Sequence, residues 1–555
     1  MSAQSPVLTR GSPRFAEPAL AELAATSVAA AWQQAASAGI EQAARNTQGD
    51  FAVGLLDGAG NPMLAVDRFA MQTMCWRLEN GQVRFAERAD ELAGPDPKLD
   101  PQAIYDYLFF HAIPSPRTIF KDVQRLPPGH CLSVQAGKPV AKPYWQTQFD
   151  EALRPHFDSL RDEFRGHLQA AVAAQLDGGK PGCFLSGGTD SSTIAGMIGL
   201  AAGRPAATYS IGFEAEGYDE MEFARLAARH FGTEHHEYYV TPADLVASIP
   251  AVAASYDQPF GNSSALPAYY CAMMARDDGV TRILAGDGGD ELFGGNLRYA
   301  KQRVFDLYAH LPAALRSAVL EPWLGAPGER PTALLRKAAS YVDQARRPMP
   351  GRMDVYNLLE RLGVQTVLTP GFLSQVDRSG PGQQQQAVWD SATAASSVNR
   401  HLAFDWRYTL AETDLPKVRG TTALAGIAVG FPMLEQAVVD FSMRLPTGYK
   451  LKGQQLRWFF KEALRGFLPD AILTKKKQGF GLPFGVWATR DAALKALATD
   501  SLHTLADRGI VQRSFITRLV DEHLPAHPGY YGEMVWILMM LEQWLRAHAP
   551  NYELH

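Results

Sequence analysis

Residues 182–192 read Gly182-Cys-Phe-Leu-Ser-Gly-Gly-Thr-Asp-Ser-Ser192, and a helix-like run through Ile194, Met197 and Ile198 follows. The order is strand, glycine turn, helix. Gly187 and Gly188 allow a tight turn and let the backbone approach a ligand. Ser186, Ser191 and Ser192, with the first free N–H groups of the helix, then face that ligand, an arrangement that binds phosphate. Asp190 would repel a phosphate met directly, so it points to a metal ion between carboxylate and phosphate oxygens. The Gly-Lys-Ser/Thr ending of the common P-loop is absent.

A second glycine-rich stretch, Ala285-Gly-Asp-Gly-Gly-Asp-Glu-Leu-Phe-Gly-Gly295, also follows a predicted strand, Thr281–Ala285. Asp287, Asp290 and Glu291 repel one another unless a cation or a donor-rich substrate shares the site. With a further predicted strand, Ala207–Gly212, each strand is followed by a helical segment. Strand–helix alternation predicts a parallel α/β sheet with ligands at the carboxyl ends of its strands. The last third is helical by periodicity and ends in an amphipathic run, Met534 to Leu545. The patch at 379–386, Ser-Gly-Pro-Gly-Gln-Gln-Gln-Gln, reads as a mobile loop.

The chain's front has a different texture. Residues 16–48 are Ala-rich and helix-forming, with Leu20, Leu23, Val28, Trp32 and Ile40 as an apolar stripe. Short apolar runs then alternate with Gly, Asn and Asp turns at 51–57, 62–67 and 82–87, a β-rich small domain closing near Tyr144-Trp145. At 555 residues, two domains are the natural expectation. A net charge of −5 leaves no footprint for nucleic acid. No stretch has the length of a membrane span, and no signal core opens the chain, which predicts a soluble cytoplasmic protein. The four cysteines are scattered, without a Cys-x-x-Cys pair, so zinc ribbons and disulfide frameworks are not expected.

Ser-Gly-Gly-x-Asp-Ser resembles the pyrophosphate loop of enzymes that split ATP into AMP and pyrophosphate. With Tyr209-Ser-Ile-Gly-Phe213, Glu234-His-His-Glu237, Gly286-Asp-Gly-Gly-Asp-Glu-Leu-Phe-Gly-Gly295 and Lys477-Gln-Gly-Phe-Gly-Leu-Pro483, the chain is similar to the class B asparagine synthetase family. Its relatives there are the β-lactam synthetases and lasso-peptide cyclases. The resemblance implies residues 1–150 as a degenerate, Ntn-type domain like a class II glutamine amidotransferase, and 151–555 as a PP-loop ATP pyrophosphatase domain. It implies ATP and Mg²⁺ as cofactors. A substrate carboxylate, aspartate or a related acid, attacks the α-phosphate of ATP; an amine then displaces AMP.

By resemblance, Leu185, Ser186, Gly187, Gly188, Asp190, Ser191 and Ser192 form the pyrophosphate loop, with Asp190 and Asp290 on Mg²⁺. Ile211 lines the adenine pocket and Gly286 gives backbone contacts. Lys461, in Leu456-Arg-Trp-Phe-Phe-Lys-Glu-Ala463, matches the catalytic lysine, and Lys477 contacts pyrophosphate. Asp287 stands where many members carry a glutamate that orients or deprotonates the amine. His235 and His236, adjacent on one strand, point to opposite faces and share no metal. Glu412, Asp414 and Lys417 occupy a loop similar to the family's, in which Arg419 replaces an acid; later Gly430 replaces an arginine. These two changes are expected to redraw the substrate pocket. A homodimer is an assembly the resemblance allows.

Glutamine-dependent members begin with a cysteine that attacks the glutamine amide; here the second residue is Ser2. The family's Gly-x-Phe-Ala lies about a hundred residues after the nucleophile, whereas Gly49-Asp-Phe-Ala52 follows 48 residues. The glutaminase is therefore expected to be absent, and Cys75 is expected to be a core residue rather than a replacement nucleophile. Three readings follow: a ligase using free ammonia, an intramolecular amide-forming cyclase, and a non-catalytic accessory homologue. Asp-Glu-Leu-Phe-Gly-Gly and Lys-Gln-Gly-Phe-Gly favour the first.

Overall fold

A computed structural model describes residues 7–152, 156–310, 312, 341–475 and 481–554. Its centre is a parallel sheet of β1 (Gly182–Phe184), β2 (Ala207–Phe213), β3 (Glu234–Val240), β4 (Arg282–Leu284) and β5 (Ala428–Gly430). The spatial order is 3-2-1-4-5, with every neighbour parallel. The chemistry of each strand matches its place. All of β2 is buried, as a strand covered on both faces must be, whereas β3 is polar and lies at an edge. Because the order reverses between β1 and β4, the loops that leave these two strands flank one crevice.

Behind β1, the Thr189–Ala202 helix is buried from Ser191 to Ile198, and Gly203 ends it in the left-handed conformation (φ 66°). The run Met534 to Leu545, expected to be amphipathic, is instead buried continuously within the helix Pro528–His548, Glu542 and Gln543 included. It runs through a core shared with the Pro242–Ser255 and Ala492–Asp507 helices.

Two antiparallel sheets make the front of the chain. One has five strands (Val7–Gly11, Phe51–Leu56, Pro62–Val66, His130–Gln135, Lys138–Pro143); the other has three (Gln82–Ala86, Cys75–Glu79, Val123–Arg125). Ala52, Leu64, Trp76 and Phe85 fill the space between them. The Ala-rich stretch is three helices rather than one, broken at Ser27 and Gly39, and Trp32 packs from it onto Phe15 and Phe51. The smaller sheet adds Cys75 and Ala86 to the core of the C-terminal helices. Tyr107 Oη donates to the Ile537 carbonyl at 2.8 Å, and Arg68 meets Asp440 at 2.8 Å. The two domains thus share a core.

The patch at 379–386 is not a loop. Gly380–Ser391 is a helix with Pro381 in its first turn, where a missing N–H costs nothing, and with glutamines, good helix formers, following. Asp377 accepts from Ser379 N (2.9 Å) and Oγ (2.6 Å) just before it, and Gln385 is buried. Among the described residues no helix is long and apolar enough to cross a membrane.

Candidate active site

The loops after β1 and β4 meet. A Cβ on Gly286 would stand 2.9 Å from Ser191 N and 3.0 Å from the carbonyl carbon of Asp190, so only glycine lets the second loop pass against the first helix. Gly187 has φ +69°, and a Cβ there would strike the backbone of the Met221–Phe231 helix. Ser186 N donates to Ser191 Oγ at 3.1 Å, and Gly188 N approaches Ser186 Oγ at 3.4 Å, folding the loop back on its own hydroxyls.

A cavity of about 900 Å³ opens above these loops. Ile211, Met221, Ala224, Pro267, Ala268 and Cys271 line an apolar part of it; Asp190, Asp287, Asp290, Asp414, Lys417, Arg457 and Lys461 line a charged part. Of the residues expected here, Leu185, Ser186, Gly188, Asp190, Ser191, Ile211, Gly286, Asp287, Asp290 and Lys461 all line this one cavity. Gly187 lies beneath the loop, and Ser192 turns into the core, fully buried with its hydroxyl unbonded. Lys477 and Ser2 lie outside the described residues.

Asp190 and Asp290 converge on one cation, the buried guanidinium of Arg457. Two hard oxygen donors brought together this way are a donor set that suits Mg²⁺ bound with phosphate. The two carboxylates hold the Arg457 pKa above its ordinary value despite burial. Lys461 stands four residues on, in the Trp458–Ala463 helix. Burial, and then the neighbouring Arg457, lower its pKa against the pull of Asp290.

On the opposite wall the π-helical segment Trp406–Asp414 runs into the Leu415–Ala425 helix. Such wide turns recur at functional sites. This one places Asp414 and Lys417 beside Asp287: Lys417 Nζ lies 3.4 Å from Asp287 Oδ1 and 3.2 Å from Asp414 Oδ1. Burial raises the Asp287 carboxyl, with Lys417 opposing. Burial disfavours the Lys417 ammonium, but its two carboxylates more than offset this and keep it charged.

Neither Arg419 nor Gly430 lines the cavity. Arg419 Nη1 donates to Thr73 Oγ1 (2.8 Å) at the domain junction, and Gly430 packs against Gln175 and Leu284. Glu412 also turns away, accepting from Ser115 N at 3.1 Å and Oγ at 2.7 Å. His235 Nδ1 lies 2.9 Å from Thr208 Oγ1, and His236 stacks on Tyr209. His236 approaches Glu234 and Asp278, which Lys180 already joins at 2.9 and 2.7 Å. Sequence reasoning missed Arg457, although it stands in the run quoted for Lys461, one helical turn before it.

A serine–glycine loop and an acidic loop thus lie side by side at the switch point of a parallel sheet, which is joined to an antiparallel sandwich. The asparagine synthase family model matches residues 163–546, and a glutamine amidotransferase domain model matches residues 27–145. The chain belongs to the asparagine synthase family. It is 24% identical over 520 residues to asparagine synthetase 1 of Bacillus subtilis (strain 168), described as glutamine-hydrolyzing, covering 92% of this chain and 79% of that protein. A putative glutamine-hydrolyzing asparagine synthetase of Mycobacterium tuberculosis (strain ATCC 25618 / H37Rv) is 26% identical over 463 residues, 82% of this chain and 68% of its own length. A second putative enzyme of that description, from Methanocaldococcus jannaschii, is 34% identical over 222 residues, 39% and 42% of the two chains.

Proposed function

We propose that this protein adenylates the carboxylate of aspartate or a related acid with ATP, releases pyrophosphate, and then joins the acyl group to an amine, with free ammonia as the donor. The observation that carries this reading is the convergence of Asp190 and Asp290, from two different loops, on one cation within the cavity that Lys461 also lines.

Ser186, Gly188 and Ser191 hold the pyrophosphate portion through hydroxyl and backbone donors. Asp190 and Asp290 would hold Mg²⁺, which would supply positive charge beside the phosphates; the acyl oxygen attacks the α-phosphorus and pyrophosphate leaves. Ile211 and the apolar wall take the adenine. Lys461, partly buried and facing the same cavity, stabilises the negative charge that grows on the α-phosphate and later on the tetrahedral carbon. Asp287, held by Lys417, orients the amine and accepts its proton as the C–N bond forms and AMP leaves. Lys477 is assigned to pyrophosphate by resemblance alone.

Free ammonia is favoured over glutamine because all four cysteines are buried. Burial pushes the Cys75 thiol up to about 11, far from a nucleophile's range. We place the division between the amidotransferase-like and synthetase domains at residue 150, between the two matched stretches.

One observation favours a second reading, ring closure by the substrate's own amine. Lys417 sits between two carboxylates, which leaves that wall with an excess negative charge suited to an ammonium group. The deciding experiment follows pyrophosphate release and amide product with ATP, Mg²⁺ and aspartate, using ammonium or glutamine as nitrogen source. Release with ammonium and none with glutamine supports the proposal. Release only with an amino-diacid or a peptide transfers it to the cyclase reading, and no ATP use under any arm rejects both.

A further inference from the structure

Arg457 comes from neither loop, yet it is the residue on which both acidic loops close. Its Nη1 lies 2.8 Å from Asp190 Oδ2, 2.7 Å from Asp290 Oδ1 and 3.0 Å from Thr189 Oγ1; Nη2 donates to the other oxygen of Asp190. The side chain is 6% exposed. The backbone at Arg457 adopts φ 55°, ψ 35°, a left-handed conformation that a residue with a Cβ holds only when its surroundings enforce it. Two glycines clear its path. A Cβ on Gly295 would come within 2.7 Å of Arg457 Cδ, and one on Gly289 within 3.1 Å of Nη2. The guanidinium carbon lies 4.1 Å from the centre of the Phe460 ring. Its Nε is buried and has no hydrogen-bond partner.

Provided, as proposed above, that the cavity takes ATP, we infer that Arg457 is the resident counter-ion of the Asp190–Asp290 pair, and that a divalent cation therefore enters only together with the nucleotide. A metal ion arriving alone would meet a fixed positive charge already bonded to both of its carboxylate ligands. Displacing that guanidinium would leave it buried without an anion, an arrangement far costlier than the paired one. A triphosphate removes the obstacle. Its oxygens accept from the guanidinium fork in the geometry arginine prefers, while the carboxylates pass to the metal. Metal and nucleotide then bind with positive coupling, and by linkage each raises the affinity of the other by the same factor. Without ligand, Arg457 keeps two like charges from pushing the loops apart. Arg457 is a positioning residue in this scheme.

The test uses Mn²⁺ as the metal probe, its free fraction read by electron paramagnetic resonance, with the full chain and a non-hydrolysable ATP analogue. Wild type should bind Mn²⁺ alone at least tenfold more weakly than with the analogue present. Arg457→Gln should bind Mn²⁺ alone at least tenfold more tightly than wild type, lose most of the coupling, and gain melting temperature as Mn²⁺ is added, where wild type does not. Arg457→Lys, which keeps the charge but not the fork, should fall between and covers the case in which Arg457→Gln fails to fold. Equal Mn²⁺ affinity in wild type and in whichever variant folds, or coupling unchanged by the substitution, overturns the inference while leaving the ATP reading intact. If the analogue does not bind wild type with metal or without, the ATP reading itself fails, and the inference with it.

Discussion

Asp287 holds its carboxylate 3.4 Å from the ammonium of Lys417, in the cavity that the phosphate loop also lines. Because Asp414 shares the same ammonium, removing the charge of Asp287 leaves Lys417 paired and the wall intact. Asp287→Asn is therefore expected to keep ATP–pyrophosphate exchange and lose ~10²-fold or more of amide formation, the usual span for a proton acceptor. Asp287→Glu, which restores the carboxylate with one more methylene, should stay within about tenfold of wild type by the same measure. Loss of exchange in Asp287→Asn would place this residue in the adenylation step instead.

Asp190→Asn and Asp290→Asn each remove half of the carboxylate pair that meets Arg457. Each should reduce pyrophosphate release by ~10²-fold or more, the scale lost when a preorganised charge contact is removed from a transition state. Chelation of divalent metal should stop turnover of wild type, and Mg²⁺ should restore it. Assays across a Mg²⁺ series check both, since the variants should require higher Mg²⁺ than wild type.

Gly286→Ala puts a methyl group 2.9 Å from Ser191 N, against backbone that cannot swing aside. Overpacking of this kind costs about 1–3 kcal/mol. We expect a lower melting temperature together with weaker nucleotide binding, because the strained contact lies between the two loops. An alanine variant with wild-type affinity for an ATP analogue would show that the loops separate freely.

Lys450 is fully buried, its Nζ donating to Asn399 Oδ1 at 2.8 Å and lying 4.7 Å from the Phe149 ring centre. Burial lowers its pKa to about 7. Between about pH 7 and the ordinary lysine value near 10.4, the unfolded chain keeps this proton while the folded chain releases it. The unfolded state then binds more protons, so stability rises with pH across that window; below it the full penalty of a buried charge applies. Lys450→Met should be more stable than wild type near pH 7, with the gap closing by up to about 1.4 kcal/mol per pH unit toward pH 10. Denaturant titrations of both proteins at pH 7 and pH 10 measure the difference directly.

Arg508 and Glu542 form a buried pair (2.7 Å) that ties the C-terminal helix to the last residues, Arg508 also donating to the carbonyls of Pro550 (3.0 Å) and Tyr552 (2.7 Å). Glu542→Gln removes the only charge opposite Arg508 among its described partners and should cost about 3–5 kcal/mol in denaturant unfolding. Neither residue is among the described residues that line the cavity, so activity at temperatures well below the transition should be unchanged.

The elements that local rules govern were legible in the sequence. The sequence places β1, β2 and β4 within a residue or two, because short apolar runs bounded by glycine have few other uses. It also assigns both glycine loops to strand ends, and Asp190, Asp287, Asp290 and Lys461 to one site. The Gln-rich helix at Gly380–Ser391 was misread because composition suggested a loop, whereas glutamine's helix propensity and a proline in the first turn permit a helix.

By itself, then, the sequence determined the parallel α/β sheet and the two loops at its strand ends, since short apolar runs and glycine turns mark each of them, while the chemistry assigned to the loops came from the family resemblance. Only the tertiary structure decided that Arg457 closes the carboxylate pair, that Asp414 and Lys417 face Asp287 while Glu412 and Arg419 face the other domain, and that Ser192 is core. These are matters of direction. A π-helical segment and a left-handed residue rotate side chains by amounts no spacing rule encodes, and the partners they meet lie more than a hundred residues away.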